Sequence, residues 1–223
     1  GEANAIAIRI ARTYSKKHKI AVCGYHGWHD WYLSANLKNQ KSLDNLLLPG
    51  LSTIGIPDNL KGVTYPFKYN DLNSLKKIIK KNKNIGIIFM EVERNQKPKN
   101  NFLQKVRHIA NKKNIVLIFD ECTSGFRETY GGLHKKYNIE PDIAVFGKSI
   151  ANGIPLTAVL IKDKLISRAK QSFISSTFWT ESLGPVAALT TLKVMSKEKS
   201  WKKITKIGKK IKTFWIKMSK KYN

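Results

Sequence analysis

Four places in this sequence put a reactive side chain directly after a short apolar run. Asp120 and Glu121 follow the run 115–119, and Gly147-Lys148-Ser149 follows the run 143–146. Glu91 follows the run 85–90, and Tyr25-His26-Gly27 follows the short stretch 19–24. A lysine amine can form an imine with an aldehyde. A carboxylate beside a heteroaromatic nitrogen favours its protonated form by charge pairing. An aromatic side chain such as Tyr25 can cover the flat face of a ring. Each residue also has a plainer role: Asp120 as a helix cap or metal ligand, Lys148 as one lysine among many, Tyr25 and His26 as packed loop residues. What makes them a set is their shared position at the ends of apolar runs.

The elements that must position these groups follow from periodicity and punctuation. Alanines at 3, 5, 7 and 11 predict a helix over 2–17, outweighing the strand-like alternation of Ile6, Ile8 and Ile10. A strand is predicted over 19–24 and a long loop over 36–62. Leu72, Leu75, Ile78 and Ile79 after Asp71 give helical spacing over 71–81. The run 85–90 reads as a strand, 102–111 as a helix, and 115–119, 142–146 and 157–161 as further strands. Unbroken apolar runs suit parallel strands covered on both faces. Strands alternating with helices give an α/β fold with a mainly parallel sheet. In such a sheet ligands bind beyond the carboxyl ends of the strands. From 182 onward the chain reads as helical. Over 198–222, Trp201, Ile204, Ile207, Ile211, Phe214, Trp215 and Met218 share one face, predicted to pack into the body of the protein with part of its partner outside this chain.

The 223 residues suffice for one large domain or one domain and part of a second, and 42% apolar content is that of a folded chain. No apolar run approaches the roughly 20 residues that span a bilayer. Two cysteines, Cys23 and Cys122, make no disulfide framework and point to a cytoplasmic setting. A chain starting at Gly1 reads as a fragment or a processed piece. The net charge of +26 comes mainly from lysines accompanied by many Asn and Ile. Such a bias places lysines on solvated faces. The competing functions are a basic protein that binds nucleic acid or an anionic surface, and an inactive fragment.

An amine and a carboxylate at two strand ends meet the needs of one cofactor, pyridoxal 5'-phosphate: a lysine to hold its aldehyde and an acid to keep its pyridinium protonated. Residues 120–127, Asp-Glu-Cys-Thr-Ser-Gly-Phe-Arg, meet the pattern Asp-Glu-x-x-x-Gly-Phe-Arg, and residues 146–155 read Phe-Gly-Lys-Ser-Ile-Ala-Asn-Gly-Ile-Pro. With Tyr25-His26-Gly27, Gly1-Glu2-Ala3 and Ser176-Thr177-Phe178, these resemble the class III pyridoxal-phosphate-dependent aminotransferases, nearest to the glutamate-1-semialdehyde 2,1-aminomutase group.

The resemblance implies a fold type I PLP-dependent transferase large domain, a mostly parallel sheet with flanking helices, over 1–196. Residues 197–223 would begin a smaller C-terminal domain. It implies that Lys148 is the Schiff-base lysine and proton shuttle, and that Asp120 is the pyridinium partner. Tyr25 covers one ring face beside His26, and Cys122 lies against the other. Gly1 and Glu2 end a phosphate loop, and Glu91 lines the site. Thr177 reaches the phosphate of a neighbouring subunit's cofactor, which implies a homodimer. The implied activity is transamination between a small-molecule amino donor and a carbonyl acceptor, with the aminomutase reaction proper as the alternative and no metal. One departure is Val92-Glu93-Arg94 after Glu91, where the family often has proline. Another is the stretch 175–180, which points towards a different substrate such as an amino sugar.

Overall fold

The computed structural model describes residues 1–222. Its strands are Lys19–Cys23 (β1), Thr64–Pro66 (β2), Ile85–Glu91 (β3), Val116–Asp120 (β4), Ile143–Phe146 (β5) and Ala158–Ile161 (β6). They form one sheet in the order β2-β1-β3-β4-β5-β6. Every neighbouring pair is parallel except β5 with β6. The predicted α/β architecture is the one observed.

Burial on both faces explains the apolar runs. Alternate residues serve opposite layers, as the two-residue repeat of a strand requires. Ile20, Val22, Ile87, Phe89, Val116 and Ile118 pack with α1 (Glu2–Ser15) and with Leu165 of α5 (Asp163–Lys170). Ala21, Cys23, Ile88, Met90, Leu117 and Phe119 pack with α3 (Leu72–Lys81) and α4 (Phe102–Lys112). The fully or nearly fully buried Ala3, Ala7 and Ala11 let α1 lie close on the sheet. Asp71 caps α3 by accepting a hydrogen bond from the Ser74 N–H.

Three elements were not foreseen in the sequence: α2 (Asp30–Leu33), β2 and α5. The predicted loop 36–62 is irregular apart from short 3₁₀ turns at its margins. The helical C-terminal region divides into α6 (Leu183–Glu198) and α7 (Ser200–Tyr222), separated by Lys199 at φ 48°. The apolar face of α7, predicted to pack into the body, buries no residue. It meets the body through the loop bearing Arg127 and Tyr130: Trp201 stacks 5.2 Å from Tyr130, and the Thr205 hydroxyl donates to the Arg127 carbonyl. Among the described residues no helix is long and apolar enough to cross a membrane.

The connectivity locates a crevice. From β1 the chain leads to β2 at one edge; from β3 it leads to β4 on the other side of β1. Adjacent strands whose outgoing connections diverge open a cleft beyond their carboxyl ends. Strand alternation sets what points there. Gly24, Glu91, Asp120 and Gly147 each continue the α1-facing series at the end of a parallel strand, and Glu91 and Asp120 are register partners.

Candidate active site

Asp120 ends β4 and is buried. Its Oδ2 accepts from His26 Nδ1 at 2.8 Å and from Asn4 Nδ2 at 3.0 Å, and its Oδ1 accepts from the Cys122 N–H at 3.0 Å. The other ring nitrogen of His26, Nε2, faces the Cys23 carbonyl at 3.1 Å. A carbonyl only accepts, so that nitrogen carries a hydrogen. Phe89 meets the imidazole edge-on at 4.6 Å and Trp31 stacks beyond it, so the ring is held on every side. Burial pushes the Asp120 carboxyl up, but the His26 bond and charge, the Cys122 N–H and the Asn4 amide outweigh it and hold the group below the usual carboxylate range. Three donors occupy a carboxylate that offers about four lone-pair positions, which leaves one for a further N–H.

Lys148 follows β5 with φ 48°, a left-handed backbone that side-chain-bearing residues rarely adopt. The lysine is exposed, and its Nζ donates to Thr123 Oγ1 at 2.7 Å. Gly147 makes the approach possible: a Cβ there would lie 2.7 Å from the Cys122 sulfur. One four-residue segment, Asp120 to Thr123, thus carries the carboxylate at its start and the partner of the amine at its end. Between them, burial and then the Asp120 charge push the Cys122 thiol up, against the opposing influence of Lys148.

The segment is anchored from behind. Glu121 is fully buried; its Oε1 accepts from both the backbone N–H and Nδ1 of His134 at 2.9 Å, and its Oε2 accepts from the Ser124 hydroxyl. Across the crevice, Glu91 Oε2 accepts from the Tyr25 N–H at 3.2 Å. Arg94 closes on both Glu91 oxygens through Nε, at 2.8 and 2.9 Å, and reaches Thr123 Oγ1 through Nη2 at 3.3 Å. The Glu91 hydrogen bond raises Arg94 above its ordinary value. Gly24, at φ 110°, has no room for a side chain, because a Cβ would fall 2.7 Å from Glu91 Oε2.

The structure therefore brings Asp120, His26, Cys122, Lys148, Tyr25 and Glu91 into one bonded neighbourhood. Gly1 lies at its rim, at the start of α1, where a Cβ would strike the His29 ring at 2.6 Å. Two predicted residues stand apart. Glu2 is exposed and lines a cavity with Ile6 and Trp179 rather than facing Asp120. Thr177 is exposed in a short turn and takes no part in the hydrogen bonds described above. Asn4, Thr123 and Arg94 were not among the predicted site residues. Asn4 left a trace in the sequence, as a polar residue one step from the buried alanine stripe of α1. Thr123 and Arg94 left none, because both sit in irregular chain.

A doubly covered parallel sheet with an amine and a paired carboxylate at its carboxyl edge defines a class: α/β proteins that hold a small ligand at a divergence of strand connections. The chain belongs to the class III aminotransferases, whose family model, Aminotransferase class-III, matches residues 1–223. It is 38% identical over 217 residues to a 3-aminobutyryl-CoA aminotransferase of Cloacimonas acidaminovorans, covering 94% of this chain and 48% of that one. A glutamate-1-semialdehyde 2,1-aminomutase of Nitrosopumilus maritimus is 35% identical over 214 residues, covering 90% and 48%. Among solved structures, an omega-transaminase from Sphaerobacter thermophilus superposes with a TM-score of 0.74 at 26% identity, covering 87% of this chain and 47% of that one. An S-selective transaminase from an Arthrobacter species gives 0.78 at 18% identity, covering 99% and 53%, and shows the shared fold. The chain spans about half the length of the curated relatives it matches.

Proposed function

We propose that this chain is the pyridoxal-phosphate-binding part of a class III aminotransferase that moves an amino group between a small amine and a carbonyl compound. The observation that carries this reading is the placement of an ionised, three-quarters satisfied carboxylate and an exposed amine at opposite ends of residues 120–123. The donor set fits the cofactor. Asp120 keeps one acceptor position for the ring N–H, and Gly24 and Gly147 let the chain pass close to Glu91 and to the Cys122 sulfur, where a Cβ would collide.

Bound there, the cofactor supplies a ring that accepts the electron pair left when a substrate carbon loses a proton. The residues of the chain do the rest. Lys148 Nζ is the point of attachment for the cofactor aldehyde and, once displaced by substrate, moves the proton at the substrate carbon. Asp120 holds a proton on the ring nitrogen, and His26 and Asn4 fix the carboxylate in that duty. Thr123 orients Nζ. The start of α1, from Gly1 and Glu2, offers backbone N–H groups to a phosphate. Thr177, unbonded within its own chain, serves the cofactor of a second subunit in a cytoplasmic homodimer. Residues 197–223 begin a second, smaller domain, close to the backbone reversal at Lys199.

Borohydride reduction of the cofactor-loaded protein, followed by peptide mapping, should place the pyridoxyl group on Lys148. Lys148→Ala should abolish visible absorbance, and labelling of a different lysine would overturn the reading. The aminomutase alternative rests on the 35% identity to such an enzyme. It requires product whose amine has moved to the adjacent carbon without a separate amino donor.

A further inference from the structure

The chemistry of α7 is separate from that of the crevice. Each residue turns an α-helix by about 100°, so the 23 residues of α7 sort by side. Ile204, Ile207, Ile211, Phe214, Trp215 and Met218 fall within an arc of about 100°. Eight of the nine lysines, all but Lys212, fall within a separate arc of about 120°. Ile216 is the one isoleucine outside the stripe.

Only the start of the helix is held, by Trp201 against Tyr130 and by the Thr205 hydroxyl on the Arg127 carbonyl. No residue of α7 is buried, and Ile207, Ile211, Phe214 and Trp215 are each more than half exposed. Of the lysines only Lys203 has a carboxylate partner, Glu198. Among the described residues, nothing of the smaller domain proposed to begin here covers the stripe.

Whatever covers such a helix must take the stripe and the lysines together. A nucleic acid would pair the lysines and leave the stripe in water. A second copy would cover the stripe but bring two sets of lysines side by side, where like charges repel. An anionic lipid surface accepts both. The acyl boundary takes the stripe, the head groups pair with the lysines on its flank, and the Trp215 indole suits the depth between. At about 35 Å the helix is long, but it is not apolar enough to cross a bilayer, so it lies in the plane of the surface.

We propose that α7 is an interfacial helix that seats this protein on a membrane surface rich in anionic lipid. The proposal does not depend on the proposed function, because no residue of α7 takes part in the hydrogen bonds around Asp120 and Lys148.

The test is co-sedimentation of the full chain with two kinds of vesicle: phosphatidylcholine alone, and phosphatidylcholine with phosphatidylglycerol in equal parts. Partition into the anionic vesicles should be at least about tenfold stronger, and should weaken as salt is raised. The paired change Ile211→Ser and Phe214→Ser keeps every lysine and should cost about tenfold or more in that partition. Lys206→Gln, Lys210→Gln and Lys217→Gln together should cost as much. Lys76→Gln, Lys77→Gln and Lys80→Gln remove the same charge from the exposed side of α3 and should cost little. All of these positions are exposed, so the folded body is retained in every variant. Equal partition into the two kinds of vesicle overturns the proposal. So does a serine variant that binds anionic vesicles like the wild type, or an α3 variant that loses as much as the α7 lysine variant. A chain that leaves anionic vesicles for duplex DNA, whether or not the stripe is intact, has a nucleic-acid surface there instead. A stable dimer formed through α7 that persists when vesicles are added assigns the stripe to a second copy, and the proposal fails.

Discussion

Asp120 illustrates how much of this site depends on which atoms donate. Its carboxylate is surrounded by three donors and no acceptor, so its ionised form is the one the fold stabilises. The sign of the consequence follows from the shift. A carboxyl held below its unfolded value contributes stability fully present above that value, and lost as pH falls through the lower folded one. Asp120→Asn removes the titrating group and leaves the buried His26 without its ionic partner. Breaking one side of such a pair costs about 3 kcal/mol at neutral pH. Denaturant unfolding of wild type and variant should show that difference near pH 7 and show it shrinking as pH drops below about 4. A deficit that stays constant into acid would mean the carboxylate charge contributes nothing. Lys148 and Asp120 stand out in the sequence because each ends an apolar run. Asn4, Thr123 and Arg94 do not, because their roles arise from contacts across 116, 25 and 29 residues of chain.

At the scale of elements, the sheet was legible and its trimmings were not. Runs such as 85–91, buried at every position, admit few readings other than a strand covered on both faces. The alanines of α1 signalled a helix in close contact. By contrast β2 has three residues and α2 four, too short to show a period, and α5 is set by packing of Leu165 against the α1 side of the sheet. The connection from β4 to β5 likewise has no periodic signal, yet it carries Cys122 and Thr123, the hydrogen-bond partners of Asp120 and Lys148, and Glu121 anchors it to His134. Glu121→Ala would strand the buried His134 N–H and imidazole, at a cost of about 2 kcal/mol. It should also speed hydrogen exchange across residues 122–134 more than across α3 or α4. Ser124→Ala, which removes only one of the three donors, should cost less. Unchanged exchange in that segment would show that the loop is ordered by its apolar contacts alone.

For the whole molecule the imbalance lies in α7. Its 23 residues hold nine lysines and no acidic residue, a large share of the net charge of +26. Its opposite face leaves Ile207, Ile211, Phe214 and Trp215 between 52% and 66% exposed. The sequence shows such an amphipathic stripe plainly, but not what the stripe meets, since periodicity fixes a face and not its partner. Because α7 buries no residue, deleting 200–223 should leave the sheet and its two helix layers nearly as stable as before. The lost contacts to Tyr130 and Arg127 are worth about 1 kcal/mol together, or roughly 2–4 °C in melting temperature for a chain of this size. Relief of lysine repulsion acts in the opposite direction and most strongly at low salt, where screening is weakest. Calorimetry at low and at moderate ionic strength should therefore find a small shift at both, less negative at low salt. Sedimentation should find the shortened chain less prone to self-association, because a contiguous apolar stripe has been removed. A fall of more than about 10 °C, equivalent to several kcal/mol, would mean that α7 is coupled to the sheet through contacts far stronger than one stacked ring and one hydroxyl.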